Sequence, residues 1–307
     1  MRESRSNRVA VALSGGILRG AAHIGVLQAL QKMGITPAAI AGTSAGGLVA
    51  GLYGRGMSTD LLEEVTRTFN GRKLLDVSLP MVEVLTAAAL VPLYYLHVVK
   101  RVSHRIPPGF IVGAKFEKWL QKVVDITPTR HAIPHFVVAT DLLSGNAIVF
   151  YDELDRPKIL PRVEFVPMSD PVIAIRSSCS LPGVLLPRKY HRRLLVDGAL
   201  RNNLPIDILH HLGFEKVIAV DLHKSQMDDE FTVSYLSILD RMMDIMFDEL
   251  MELRASTYHP FVIRPNLDGI GRTSWESIPS AIRIGREATE ALRDELLAYI
   301  QSPTVKK

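Results

Sequence analysis

From Val9 to Leu27 the chain reads VAVALSGGILRGAAHIGVL, and no other passage limits the fold as much. Arg8–Leu13 has the composition of a buried strand. It breaks at two glycines, Gly15 and Gly16, and passes a basic residue, Arg19. Gly20–Met33 then follows with helical spacing and stops at Gly34, a suitable C-cap residue. The pattern recurs at once, with a short strand at Ala38–Ala41 and a helix of small residues at Ala45–Gly54. Strand, turn and helix in alternation predict an α/β fold with a mainly parallel central sheet.

Later apolar runs extend that reading. His135–Asp141 and Ala147–Tyr151 are predicted strands around a Ser144-Gly145-Asn146 turn, and Leu194–Val196, Lys216–Asp221 and Phe261–Arg264 complete the set. Ser234–Ala255 and Ser277–Ile300 are predicted amphipathic helices that cover the sheet. With no repeat, low-complexity tract or linker, residues 1–307 read as a single domain with an apolar insertion at about 74–110. Within it, Leu79–Val99 is long enough to span a bilayer, although Pro80 and Pro92 interrupt it. A single span would put its two flanks on opposite sides of the membrane, which a site built from both halves excludes. A lid, an interfacial segment or a core-capping insertion remains, and the basic tail Lys100–Arg105 suits anionic headgroups.

Composition bounds the partners. Apolar residues make up 47% of the 307 and charged residues 22%, enough to bury a real core. The one cysteine, Cys179, excludes a disulfide framework and suits a reducing compartment. No apolar stretch follows Met1–Ser6, so a secretory signal is not expected. The expected location is cytoplasmic. The net charge of +4 adds peripheral contact with an anionic membrane surface to the expectations. No nucleic-acid motif and no metal-ligand cluster is visible, and no oligomeric state is assigned.

A glycine-rich turn at a helix start holds either a phosphate or an oxyanion. A phosphate loop needs Lys and Ser/Thr after its last glycine; here Gly15 and Gly20 have the spacing, but Ala21-Ala22 follow. The dinucleotide fingerprint is broken at Ile17. Gly42-Thr43-Ser44-Ala45-Gly46, by contrast, matches G-x-S-x-G between a predicted strand and a predicted helix. In that setting flanking glycines Gly42 and Gly46 leave room for a tight turn that exposes Ser44 as a nucleophile. None of the ten histidines has the setting of a base. Asp197-Gly198-Ala199 ends the strand Arg193–Val196, where an α/β sheet collects functional groups, and a carboxylate there serves either as a base or as a turn stabiliser. Arg188–Arg193 packs four cations just before it, as a headgroup patch or a solvated hairpin.

The glycine loop with GAAHIGVL, then GTSAGG, then DGA followed by NNLP, in that order, resembles the patatin-like phospholipase family. The resemblance implies a three-layer α/β/α sandwich and a serine lipid acyl hydrolase of phospholipase A, lysophospholipase or esterase type, with a lipid substrate and no cofactor. It implies a Ser44–Asp197 dyad, with Gly198 and Ala199 completing the DGA motif. Backbone N–H groups of Gly15, Gly16 and Ile17 would form the oxyanion hole, and Arg19 would support the loop or meet a lipid phosphate. An acyl thioesterase, an acyltransferase and a non-catalytic lipid-binding member of the fold are the alternatives. Ile17 departs from the family, which often has glycine there. A β-branched residue is strained at positive φ, so either φ stays negative or the hole is altered.

Overall fold

The computed structural model describes residues 8–69, 71, 76, 109–128, 132–152, 159–223, 235–271 and 274–303. The apolar run Leu79–Val99 and its tail Lys100–Arg105 lie outside them. In chain order the strands are β1 (Val9–Leu13), β2 (Ala39–Thr43), β3 (Gly109–Ile111), β4 (His135–Asp141), β5 (Ala147–Tyr151), β6 (Val163–Pro167), β7 (Gly183–Leu185), β8 (Arg188–Tyr190), β9 (Arg193–Asp197), β10 (Lys216–Val220) and β11 (Phe261–Ile263). The helices are α1 (Ala22–Lys32), α2 (Ala45–Gly54), α3 (Thr59–Thr68), α4 (Ala114–Asp125), α5 (Pro171–Ser178), α6 (Ala199–Asn202), α7 (Ile206–His211), α8 (Tyr235–Tyr258), α9 (Ile278–Ala291) and α10 (Arg293–Gln301).

The main sheet runs β11-β10-β1-β2-β4-β5-β6, with β9 also on β4 and β8 on β9. From β11 to β4 the pairing is parallel. Both faces are covered, which is why β1 and β10 read as unbroken apolar runs. Val9, Val11 and Leu13 face one core with α1, α2, α5 and α9, while Ala10 and Ala12 face a second core with α7 and α8. The result is the three-layer α/β/α sandwich. No helix among the described residues is long and apolar enough to cross a membrane.

Local chemistry sets the helix ends. α1 stops at Gly34 (φ 76°), where Gly34 N–H reaches the Gln31 carbonyl (3.0 Å) and Ile35 N–H the Leu30 carbonyl (2.9 Å). α5, which the sequence reading passed over, has Pro171 in its first turn and Asp170 as N-cap, accepting from Val172 and Ile173 N–H at 2.8 and 3.2 Å. The predicted helix Ser277–Ile300 is two helices, broken at Leu292 (φ −95°, ψ 14°). Neither glycine nor proline marks the break. It turns α10 back on β10, where Tyr299 Oη accepts from Val217 N–H at 3.1 Å and Lys216 Nζ donates to the Ser302 carbonyl at 2.5 Å.

α1 and α9 touch backbone to backbone. A Cβ on Gly25 would lie 1.8 Å from the Ile282 carbonyl oxygen, and one on Gly285 would lie 2.1 Å from that of Ala22. Gly25→Val must therefore push α9 off the sheet. We expect it to lower the free energy of unfolding by about 3 kcal/mol or more, read as a lower urea midpoint. An unchanged midpoint would show that the helices do not meet there.

Candidate active site

Strand register brings the two halves of the site together. β2 runs parallel to β4 and ends with Thr43 opposite Val138. β9 arrives antiparallel and ends with Asp197 opposite Ala139. β5 occupies the other edge of β4 along Phe136–Thr140, so β2 and β9 share one edge and meet end to end. Ser44 and Asp197, 153 positions apart in sequence, thus come from C-terminal strand ends that face each other across one peptide of β4. A Cβ on Gly198 would lie 2.2 Å from the Val138 carbonyl oxygen, so only glycine lets β9 turn into α6 at this junction.

Ser44 stands in a strained backbone conformation (φ 55°, ψ −122°) at the N-terminus of α2. The flanking glycines allow it. A Cβ on Gly42 would lie 2.1 Å from the Gly46 carbonyl oxygen, and one on Gly46 would lie 2.5 Å from those of Leu13 and Ser14. Ser44 N–H donates to Ser178 Oγ at 2.8 Å, and Ser178 in turn donates to the Val138 carbonyl at 2.6 Å.

Asp197 is buried. Its carboxylate accepts from Ala199 N–H at 2.9 Å and faces the Ser44 side chain. Burial raises its pKa from 3.8 to about 6, against the opposing pull of the Ala199 N–H and the Ser44 hydroxyl. Both residues open on a cavity of about 360 Å³ whose other walls are almost wholly apolar, from Ile17, Leu48, Phe116, Trp119, Leu181 and Trp275 among others. Cys179 also lines it, and burial pushes its thiol pKa up, so it is a neutral wall residue.

The glycine loop lies over the same cavity. Its three N–H groups are not equivalent. Gly15 N–H is already donated, to Asn203 Oδ1 at 3.1 Å. Those of Gly16 and Ile17 have no acceptor among the described residues. Ile17 adopts φ 51°, so the loop takes the strained course with its β-branched residue in place, at a cost on the order of 1–3 kcal/mol. Its side chain lines the cavity. Arg19 Nε donates to the Ile270 carbonyl at 2.8 Å, tying the 3-10 turn Ile17–Ala21 to the segment before α9.

Three residues that the sequence reading left without a role hold this loop. His23, fully buried, donates from Nε2 to the Ser14 carbonyl at 2.8 Å, and burial lowers its pKa to about 4, so it is neutral. Asn203 Nδ2 contacts the His223 ring (3.1 Å to Nδ1), and His223 Nδ1 lies 3.2 Å from Asp221 Oδ1. Asn203 belongs to the NNLP stretch, whose position just after DGA was the one available signal; His23 and His223 offered none. The basic cluster Arg188–Arg193 is the β8–β9 hairpin. Arg188 pairs with Glu117 at 3.2 Å and Arg193 with Glu164, so half of its cations already face carboxylates.

A family model described as patatin-like phospholipase matches residues 11–210. The chain belongs to the patatin-like phospholipase family. It is 30% identical over 262 residues to an uncharacterized NTE family protein of Mycobacterium tuberculosis, covering 81% of this chain and 60% of that one. It is 31% identical over 224 residues to lysophospholipase NTE1 of Cryptococcus neoformans, covering 70% and 11%, and 27% identical over 236 residues to the neuropathy target esterase sws of Drosophila melanogaster, covering 74% and 14%. The chain thus spans about three fifths of the mycobacterial relatives and a small part of the others. Among solved structures, VipD from Legionella pneumophila aligns with a TM-score of 0.48 at 15% identity, covering 94% of this patatin-like chain and 67% of VipD.

The raised pKa of Asp197 has a thermodynamic consequence. Below pH 4 the carboxyl is protonated whether the chain is folded or not. Between about 4 and 6 the unfolded chain loses the proton while the folded one keeps it, and above 6 the folded protein carries an unfavourable buried charge. Asp197→Asn removes that charge. At pH 8 we expect it to raise the free energy of unfolding by up to about 3 kcal/mol, with the gain vanishing near pH 4. Denaturant titrations at the two pH values would reject this if the variant is no more stable than wild type at pH 8.

Proposed function

We propose that this protein is a serine lipid acyl hydrolase in which Ser44 is the nucleophile and Asp197 the general base. The observation that carries the reading is the meeting of Ser44, on its strained turn at a helix start, and the buried Asp197 carboxylate on the wall of one apolar cavity. Ser44 Oγ attacks the ester carbonyl carbon while Asp197 takes its proton. Negative charge develops on the carbonyl oxygen, and the unspent N–H groups of Gly16 and Ile17 at the start of the 3-10 turn receive it. Collapse breaks the C–O bond, and Asp197 returns the proton to the departing alcohol. A water, deprotonated by Asp197, then attacks the acyl-enzyme; the bond to Ser44 Oγ breaks, Asp197 returns the proton to Oγ, and the fatty acid is released.

The cavity sits at the small end of the usual ligand range of about 300–1,000 Å³. Among the described residues no cation lines it, so it suits the acyl chain and leaves a charged headgroup outside. The names lysophospholipase and esterase among the relatives agree with a fatty acyl ester as substrate. Within this reading Gly15 is a support of the oxyanion loop, since its N–H is spent on Asn203, and Arg19 is a loop support through Ile270. Peripheral contact with an anionic membrane surface is part of the proposal and rests on the net charge of +4; co-sedimentation with anionic liposomes that weakens at high salt is its test.

The chemistry is tested by Ser44→Ala and Asp197→Asn, each of which should lower release of fatty acid from p-nitrophenyl acyl esters or lysophospholipid at least ~10³-fold. A fluorophosphonate probe should label wild type and leave Ser44→Ala unlabelled. Because the base works only when deprotonated, kcat/KM should be flat above pH 7 and fall about tenfold per unit below pH 6. Turnover that holds level to pH 4 would remove Asp197 from the role.

A further inference from the structure

Ser178 ends α5, away from every motif, and is fully buried. A buried hydroxyl needs partners for its proton and its lone pairs. This one gives its proton to the Val138 carbonyl (2.6 Å) and takes the N–H of Ser44 (2.8 Å). Val138 is the β4 residue opposite Thr43, and its carbonyl lies directly beneath Gly198. The hydroxyl therefore joins the strained turn that carries Ser44 to the strand on which Asp197 is registered. Two residues on, the Ser180 carbonyl accepts the N–H of Asp197 at 2.9 Å. Ser180 is itself locked, since Arg176 Nη1 donates to its Oγ at 2.5 Å and that Oγ donates to the Arg176 carbonyl at 2.8 Å. One three-residue segment thus hydrogen-bonds the backbone of both Ser44 and Asp197.

We propose that Ser178 is a positioning residue for the reaction, and that the Ser178–Ser180 segment is a bracket setting the separation of Ser44 from Asp197. The inference rests on the Ser–Asp reading above. Ser44 sits at a backbone conformation that persists only if its surroundings hold it there. Without the Ser178 hydroxyl the Ser44 N–H loses its acceptor, and the turn relaxes. The role also accounts for the last glycine of GTSAGG: a Cβ on Gly47 would lie 2.7 Å from Ser178 Oγ, so Gly47 makes room for the hydroxyl.

Ser178→Ala separates a positioning role from a merely structural one. A structural role lowers the melting temperature and leaves kcat of the folded protein alone. The bracket predicts that kcat at a temperature well below the melt falls by about 10- to 100-fold, the scale of an ångström's misplacement, with KM within about twofold. The rate of acylation of Ser44 by a fluorophosphonate should fall by the same factor. Gly47→Ala, which keeps the hydroxyl but displaces it, should reproduce the fall, and it decides the matter if Ser178→Ala does not fold. Wild-type kcat and labelling rate in whichever of the two variants is folded would overturn the bracket. Ser44→Ala is the control: if it retains turnover, the dyad and the bracket fall together; if it is inactive while folded Ser178→Ala works normally, the bracket alone falls.

Discussion

Backbone packed against backbone, with no side chain between, is the constraint on which this site depends. α2 starts so close to β1 and β2 that a methyl group at Gly42 or Gly46 would overlap a carbonyl. Gly20 of the loop meets the Ala45 Cβ in the same way, at 2.3 Å from where its own Cβ would stand. The loop, the turn at Ser44 and the end of β9 therefore form one block. None of the three can shift by an ångström without opening a neighbour, and a shift of that size is worth about a hundredfold in rate. The strain at Ser44 and Ile17 persists because this block over-determines both residues.

The block also decides the electrostatics. Asp197 is buried on an apolar wall with the Ala199 N–H as a donor and, among the described residues, no cation beside it, a setting that makes a carboxylate costly and basic. A guanidinium at contact distance would stabilise the charge and lower its affinity for a proton. Arg176 stands nearby yet is engaged by Ser180, the Val112 carbonyl and the Leu186 carbonyl, so it braces the segment behind the site. His23 is likewise held neutral under the loop. Both groups support the backbone there, and the carboxylate keeps its raised pKa, as the proposed proton transfer from Ser44 requires.

What was legible in the sequence followed from local rules. Unbroken apolar runs marked β1, β2, β4 and β10 because these strands are covered on both faces, and the glycines around Ser44 marked a turn that tolerates no side chain. The short strands β3, β6, β7 and β8 carried no such signal, being partly exposed, and β3 and β7 are fixed by each other across a long stretch of sequence. The break at Leu292 was hidden for the same reason, since its compensation is hydrogen bonding between α10 and β10. Ser178 and Asn203 were the harder losses. Each sits in an ordinary polar stretch and matters only through an atom more than 130 residues away, Ser44 N and Gly15 N. Gly15 shows the converse: the loop reads as a donor surface, but which N–H groups remain free depends on Asn203.

Apart from α2, whose Leu48 lines the cavity, the walls come from elements other than those that hold Ser44 and Asp197. Phe69 lies just past α3, Phe116 and Trp119 lie on α4, and Trp275 lies in the 3-10 turn before α9; Phe69 packs on Trp119 at 4.6 Å and on Trp275 at 5.2 Å between ring centroids. Such a wall can be reshaped for another acyl group without touching β2, β4 or β9. The exception is the segment after α5. Cys179 and Leu181 face the cavity, while Ser178 and Ser180, alternating with them, hold Ser44 and Asp197. In the proposed reaction, pressure from a bound acyl chain on those two wall residues would pass straight into the geometry of Ser44 and Asp197, so that the fit of the substrate and the alignment of the reacting groups would be the same physical event.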